Sequence, residues 1–116
     1  FDGVVHSFQD NTNHGDYGPT IILKHCIDNV EFYTLYGHLS RSSIKGLKEN
    51  TYISDSQVIG YLGNASVNGD YAPHLHFQII KNIEDNEGDY PGVSSQKNLA
   101  FYRDNCPDPN LVLKLY

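Results

Sequence analysis

Three histidines stand where imidazole chemistry could be done: His38, which follows the run Val30 to Gly37, and the pair His74 and His76 with one leucine between them. A neutral imidazole offers one lone pair, for a metal or a proton, and one N–H for a hydrogen bond. In an extended Leu75-His76-Phe77-Gln78-Ile79, side chains alternate, so His74, His76 and Gln78 share one face and Leu75, Phe77 and Ile79 the other. Residues i and i+2 lie roughly 6.6 Å apart along a strand, so two such rings can converge on one ion, or one can hold an ion while the other faces what the ion binds. Pro73 is expected to mark where this strand begins, because proline is confined to strand starts, edges and bulges. An isolated His-x-His is more often two polar residues on a half-exposed strand, so the surrounding chain has to decide.

The surroundings read as short strands and turns. Gly3 to Phe8 forms one strand, followed by a turn-rich loop through Asn13-His14-Gly15-Asp16 and Tyr17-Gly18-Pro19. Thr20 to Ile27 is a β-branched run expected to be covered on both faces, and Asp28-Asn29 turns it into the strand Val30 to Tyr36. Two turn residues that tolerate positive φ make this pair a hairpin. His38 follows directly at its end, where a rigid sheet positions side chains yet leaves them near the surface. Arg41 to Asn50 is polar and too short in its apolar pattern for a helix to be expected, Tyr52-Ile53 reads as a short strand, and so does Gln57 to Asn64, punctuated by Gly60 and Gly63. A second turn-rich loop, Ala65 to Ala72, delivers the chain to the histidine pair. Beyond Ile80 lie an acidic loop, Asn82 to Asp89, and one short helix over Gln96 to Asn105 with Ser95 as its N-cap. The fold class is all-β: an antiparallel sheet or sandwich with a groove and a short C-terminal helix.

Composition removes several functions. The 116 residues suit one domain with a single modest core, residues 1–116. Eight Lys and Arg against fourteen Asp and Glu give a net charge of −6 without a basic run, which argues against nucleic acid or an anionic membrane surface as partner. Apolar runs are far shorter than the roughly 20 residues of a membrane helix. Cys26 and Cys106 are the two cysteines; they read as a buried strand thiol and a loop thiol, with no disulfide framework and no indication of redox compartment.

The ordered pieces Asp2-Gly3-Val4-Val5, Tyr17-Gly18, Leu23-Lys24-His25, Tyr36-Gly37-His38-Leu39-Ser40, Gln57-Val58-Ile59-Gly60 with Leu62-Gly63, and Pro73-His74-Leu75-His76-Phe77-Gln78 resemble the lysostaphin/LytM-type zinc metallopeptidases of the M23 family. The resemblance covers about residues 1 to 80. It implies hydrolysis of peptide bonds of the peptidoglycan type, by an endopeptidase or amidase, with Zn2+ as cofactor and a peptide or peptidoglycan-like partner. It implies His76 as a zinc ligand, and His38 and His74 as the catalytic pair in general-base and oxyanion-stabilising roles. The family draws its other two ligands from a His-x-x-x-Asp motif upstream of the first matching strand, so the remaining ligands are expected upstream of residue 1, in an N-terminal segment this chain lacks. A smaller departure is Ser56, where the family usually has glycine. His14 and Asp16 have the wrong spacing to replace that motif, His25 is expected to be packed and hydrogen-bonded, His6 to be a surface strand residue, and the acidic loop to be solvated.

The tail, Leu99 to Arg103 leading to Asn105-Cys106-Pro107-Asp108-Pro109-Asn110-Leu111, resembles the end of M23-like modules placed between an aminoglycoside-phosphotransferase-like kinase domain and a class III pyridoxal-phosphate aminotransferase. That resemblance implies neighbouring domains in a longer chain and a cytoplasmic setting; a cell-wall hydrolase would be extracytoplasmic. Two functions therefore compete: a zinc peptidase whose site is incomplete in this chain, and a non-catalytic M23-fold binding or spacer module within an aminotransferase fusion. A carbohydrate-binding β-domain using the nine tyrosines has no motif to support it.

Overall fold

A computed structural model describes residues 1–115. Five strands, β1 (Gly3–Asn11), β2 (Gly18–Ile27), β3 (Val30–Gly37), β4 (Tyr52–Ile53) and β5 (His76–Ile80), form one antiparallel sheet in the order β4-β1-β2-β3-β5. The expected hairpin is present. Asp28 and Asn29 adopt φ of 51° and 64°, the two positive values that let a two-residue turn follow the twist of its strands. The helical pieces are α1 (Arg41–Ile44), a 3-10 turn at Gln96–Asn98 that runs into α2 (Leu99–Asn105), and α3 (Asn110–Leu113). Ser95 caps the first of the C-terminal turns, its hydroxyl accepting from the Asn98 N–H at 3.4 Å.

β2 shows why a β-branched run becomes a central strand. Ile22 packs on one face with Tyr17, Leu35, Ile80, Ile83 and Tyr90, while Ile21 and Leu23 pack on the other with Val5, Leu39 and Ile53. Neighbours along the strand thus serve opposite cores, and each fully buried isoleucine contributes about 1.5–3 kcal/mol. The C-terminal segment closes the first core, as Tyr102 and Cys106 pack against it.

Three expectations are corrected. The stretch 57–64 forms no strand; it makes one bridge, Leu39 with Leu62, and otherwise lies flat on the chain around His38. Gly63 permits that approach, because a Cβ there would sit 2.3 Å from the Leu39 carbonyl oxygen. The strand carrying the histidine pair begins at His76, three residues after Pro73, so His74 belongs to the loop before it. Cys26 is exposed near the hairpin end of β2 rather than buried, and both cysteines are free thiols. The chain beyond Pro109 adds one further helical turn, α3. Among the described residues no helix is long and apolar enough to cross a membrane.

Candidate active site

Register brings the histidines together. β3 pairs with β5 so that Gly37 lies opposite His76, which sets His38, the next residue of one strand, beside the entry to the other. His38 then leaves the sheet with φ of 62°, a left-handed conformation that costs a non-glycine residue about 1–3 kcal/mol and persists only where the surroundings impose it. Here they do: the His38 N–H donates to the Tyr17 carbonyl at 2.7 Å, its carbonyl accepts from Gly63 N–H at 2.9 Å, and Leu39 N–H donates to Pro19 at 3.0 Å. Gly37 is glycine for space, since a Cβ would stand 3.3 Å from three carbons of Tyr17.

The His38 ring is the hub of the cluster. Its centroid lies 4.3 Å from that of His74 and 5.9 Å from that of His76. Tyr17 and Tyr71 flank it at 5.7 and 5.0 Å. His38 Nδ1 lies 2.7 Å from the Asn68 carbonyl oxygen, and His74 Nδ1 lies 2.7 Å from that of Ala72. A carbonyl oxygen only accepts, so in both rings Nδ1 carries the proton and Nε2 is the bare nitrogen when the ring is neutral. Burial pushes the His38 pKa below its ordinary value; the bond to Asn68 opposes this and the neighbouring histidines add to it. His38 is buried, His74 exposed and His76 intermediate, with His76 Nε2 2.8 Å from Gln78 Oε1.

Supporting side chains complete the arrangement. Asn68 is fully buried and ties its loop together: its amide donates to the carbonyls of Gly63 at 3.1 Å and Tyr71 at 3.0 Å, and its side-chain oxygen accepts from Tyr71 N–H at 2.9 Å. The Tyr17 ring packs 4.7 Å from His76, and its hydroxyl reaches Gln78 Oε1 at 3.0 Å and the Tyr90 carbonyl at 2.9 Å. Burial and the nearby carboxylates raise the Tyr17 pKa, so the phenol stays protonated and remains a donor. Beside Tyr17 opens a cleft of about 370 Å³ lined in part by Asp16, Asp89 and Gly92. Asp89 is held above the usual carboxylate range by burial, against the Tyr90 N–H bond, with Asp16 adding repulsion.

The sequence singled out His38, His74 and His76, and these are gathered in one place. Gln78 was legible as a same-face neighbour of His76 but had no role; Asn68 gave no signal beyond its turn-rich setting, and Tyr17 none beyond its place in a motif. His25 is buried and bonded, Nδ1 to the Asp2 carbonyl at 2.8 Å and Nε2 to Thr34 Oγ1 at 2.7 Å, with its ring stacked on Phe32. His6 is partly buried and bonded to Ser7 Oγ at 2.8 Å. His14 is exposed and its carboxylate neighbour is Asp70, at 3.8 Å, not Asp16. Glu84, Asp85 and Glu87 are exposed. Among the described residues no group of three or more His, Cys, Asp and Glu side chains is arranged to hold a metal ion. His76 can give one nitrogen donor, which falls short of the three protein ligands of a catalytic zinc site.

The antiparallel sheet gathers three imidazoles at one strand end, two with a bare Nε2 able to take a proton. The family comparison makes the class specific: the model of Peptidase family M23 matches residues 1–88. The chain belongs to Peptidase family M23, and its all-β domain is of the peptidase type. No curated protein and no solved structure matches it.

Proposed function

We propose that the domain is the greater part of a zinc-dependent endopeptidase or amidase acting on peptidoglycan-type peptide bonds, in which His76 supplies one zinc ligand and residues preceding Phe1 in the full protein supply the others. The observation that carries the reading is the convergence of His38 and His74, centroids 4.3 Å apart, beside His76. When bound, zinc supplies a water acidified to a pKa of about 7 and a Lewis-acid contact to the scissile carbonyl. The chain's own residues handle the protons. Burial disfavours the charged form of His38, so its bare Nε2 is the group placed to take a proton. His74, on the exposed side, donates to the oxygen on which negative charge develops when its Nε2 carries a proton. Asn68 and Ala72 orient the two rings through their carbonyls.

The test is zinc content and hydrolysis of glycine-rich and cross-linked peptides by the protein with its upstream sequence. One tightly held zinc per molecule, lost on His76→Ala, with hydrolysis lost on His38→Ala or His74→Ala, is the expected result; zinc bound without hydrolysis of any such peptide refutes the enzymatic reading. The second reading, a non-catalytic M23-fold binding or spacer module within a multidomain aminotransferase fusion, draws support from the missing metal-binding group among the described residues. Absence of zinc from the longer protein would select it.

A further inference from the structure

We propose that Gln78 is a positioning residue for His76: held by the chain beyond residue 88, its amide fixes His76 in the tautomer with the proton on Nε2, leaving Nδ1 as the bare donor. The role given to that donor rests on reading His76 as a metal ligand; the tautomer itself does not. Gln78 Nε2 lies 3.3 Å from the Pro91 carbonyl oxygen and 3.7 Å from Cys106 Sγ, while Oε1 lies 2.8 Å from His76 Nε2 and 3.0 Å from the Tyr17 hydroxyl. A main-chain carbonyl only accepts hydrogen bonds. Turning the amide over would set two carbonyl oxygens 3.3 Å apart with no proton between them. The NH2 group therefore faces Pro91 and the oxygen faces His76. That oxygen also only accepts, so His76 Nε2 must carry the hydrogen. A neutral imidazole has one N–H, and among the described residues nothing hydrogen-bonds to His76 Nδ1.

The anchor of this arrangement lies outside the part of the chain that matches the family, since Pro91 and Cys106 follow residue 88. It is fastened independently of Gln78. Lys81 N–H donates to the Asn105 carbonyl at 2.8 Å, and the Asn105 amide donates to the Asn82 carbonyl at 2.9 Å and to the Tyr90 hydroxyl at 2.5 Å. A segment that looks like an appendage thus decides, through one glutamine, which nitrogen of His76 is available. Partners that orient a ligating histidine through its other nitrogen commonly shift metal affinity by about 10–100-fold.

The test reads the His76 tautomer by long-range 1H–15N correlation in the labelled protein at a pH where the rings are neutral, with a short unstructured histidine peptide as the unrestrained reference. Wild-type His76 is expected to favour the Nε2–H form over the other by about tenfold more than the peptide does. Gln78→Leu should return His76 to the peptide mixture, and Gln78→Glu, which keeps an acceptor toward His76 but sets an oxygen against the Pro91 carbonyl, should restore the preference at a cost in stability. A wild-type His76 no more biased than the peptide, or a bias that survives Gln78→Leu, overturns the proposal. Should Gln78→Leu fail to fold, the wild-type spectrum and Gln78→Glu still decide. In the protein with its upstream sequence, zinc affinity should fall about 10–100-fold in Gln78→Leu and recover in Gln78→Glu. A locked tautomer in a protein that binds no zinc upholds the positioning role and removes the ligand reading; zinc bound with His76 in the Nδ1–H form does the reverse.

Discussion

Removing the Asn68 side chain is the sharpest probe of how this site is held together. Asn68→Ala deletes three hydrogen bonds at once, to the carbonyls of Gly63 and Tyr71 and from the Tyr71 N–H. The Gly63 bond is buried, so its carbonyl is left without a partner at about 1–3 kcal/mol; the two bonds to Tyr71 are partly exposed, where water can replace the side chain, and count for about 0.5–1 kcal/mol each. The expected loss is therefore about 3 kcal/mol, which for a domain of this size lowers the melting temperature by roughly 10 °C. The loop around Asn68 also presents the carbonyl that orients His38 at 2.7 Å, so the variant should blur the His38 tautomer as well as weaken the fold. Urea unfolding followed by circular dichroism gives the free energy, and amide exchange at Tyr71 shows whether the loop opens on its own. A loss below about 1 kcal/mol with Tyr71 exchange unchanged would refute the view that Asn68 holds the loop.

Three further outcomes follow from the same geometry. Burial holds the His25 pKa below its ordinary value, against the bond to the Asp2 carbonyl, so the folded protein binds fewer protons there than the unfolded chain; stability should be full above about pH 6.5 and decline as pH falls toward the lowered folded value. Urea midpoints between pH 7.5 and pH 5.5 should fall less in His25→Gln than in wild type, and equal falls would contradict the assignment. Gly37→Ala places a Cβ 3.3 Å from a Tyr17 ring whose hydroxyl is already bonded to Gln78 and Tyr90, so it should cost about 1–3 kcal/mol of unfolding free energy and alter the near-ultraviolet tyrosine signal; a variant as stable as wild type would mean that Tyr17 yields freely. Exposed Cys26 should react with a disulfide reagent well before Cys106, whose thiol burial pushes up in pKa against its bonds to Gln78 and Tyr90, and the reverse order would show that the C-terminal segment is not seated on the sheet.

Much of the fold was legible because its signals are local. The two-residue turn at Asp28-Asn29, the doubly covered run from Thr20 and the cap at Ser95 all depend on backbone preferences and on period-two alternation, which neighbouring residues set among themselves. The stretch 57–64 misled because glycine there signalled a strand irregularity, whereas Gly63 is required by the main chain of Leu39, far away in sequence. Cys26 misled because the run Thr20 to Ile27 looks uniformly apolar, yet burial ends with His25, where the sheet has no further cover.

By itself the sequence determined an antiparallel β domain, the three histidines and the motif order that resembles the M23 family, since residue type and spacing suffice for these. Only the tertiary structure decided how the histidines are arranged. The pairing of Gly37 with His76 brings His38 to His74 and His76 across a gap of about forty residues, and a left-handed His38 turns its ring into the cluster. Which nitrogen each ring presents depends on single carbonyl partners, Asn68 for His38, Ala72 for His74 and, through Gln78, Pro91 for His76. A hydrogen bond is short-ranged and directional, so a proton's place on an imidazole is set by whichever acceptor the folded chain delivers within about 3 Å, and two of those three come from elements distant along the chain.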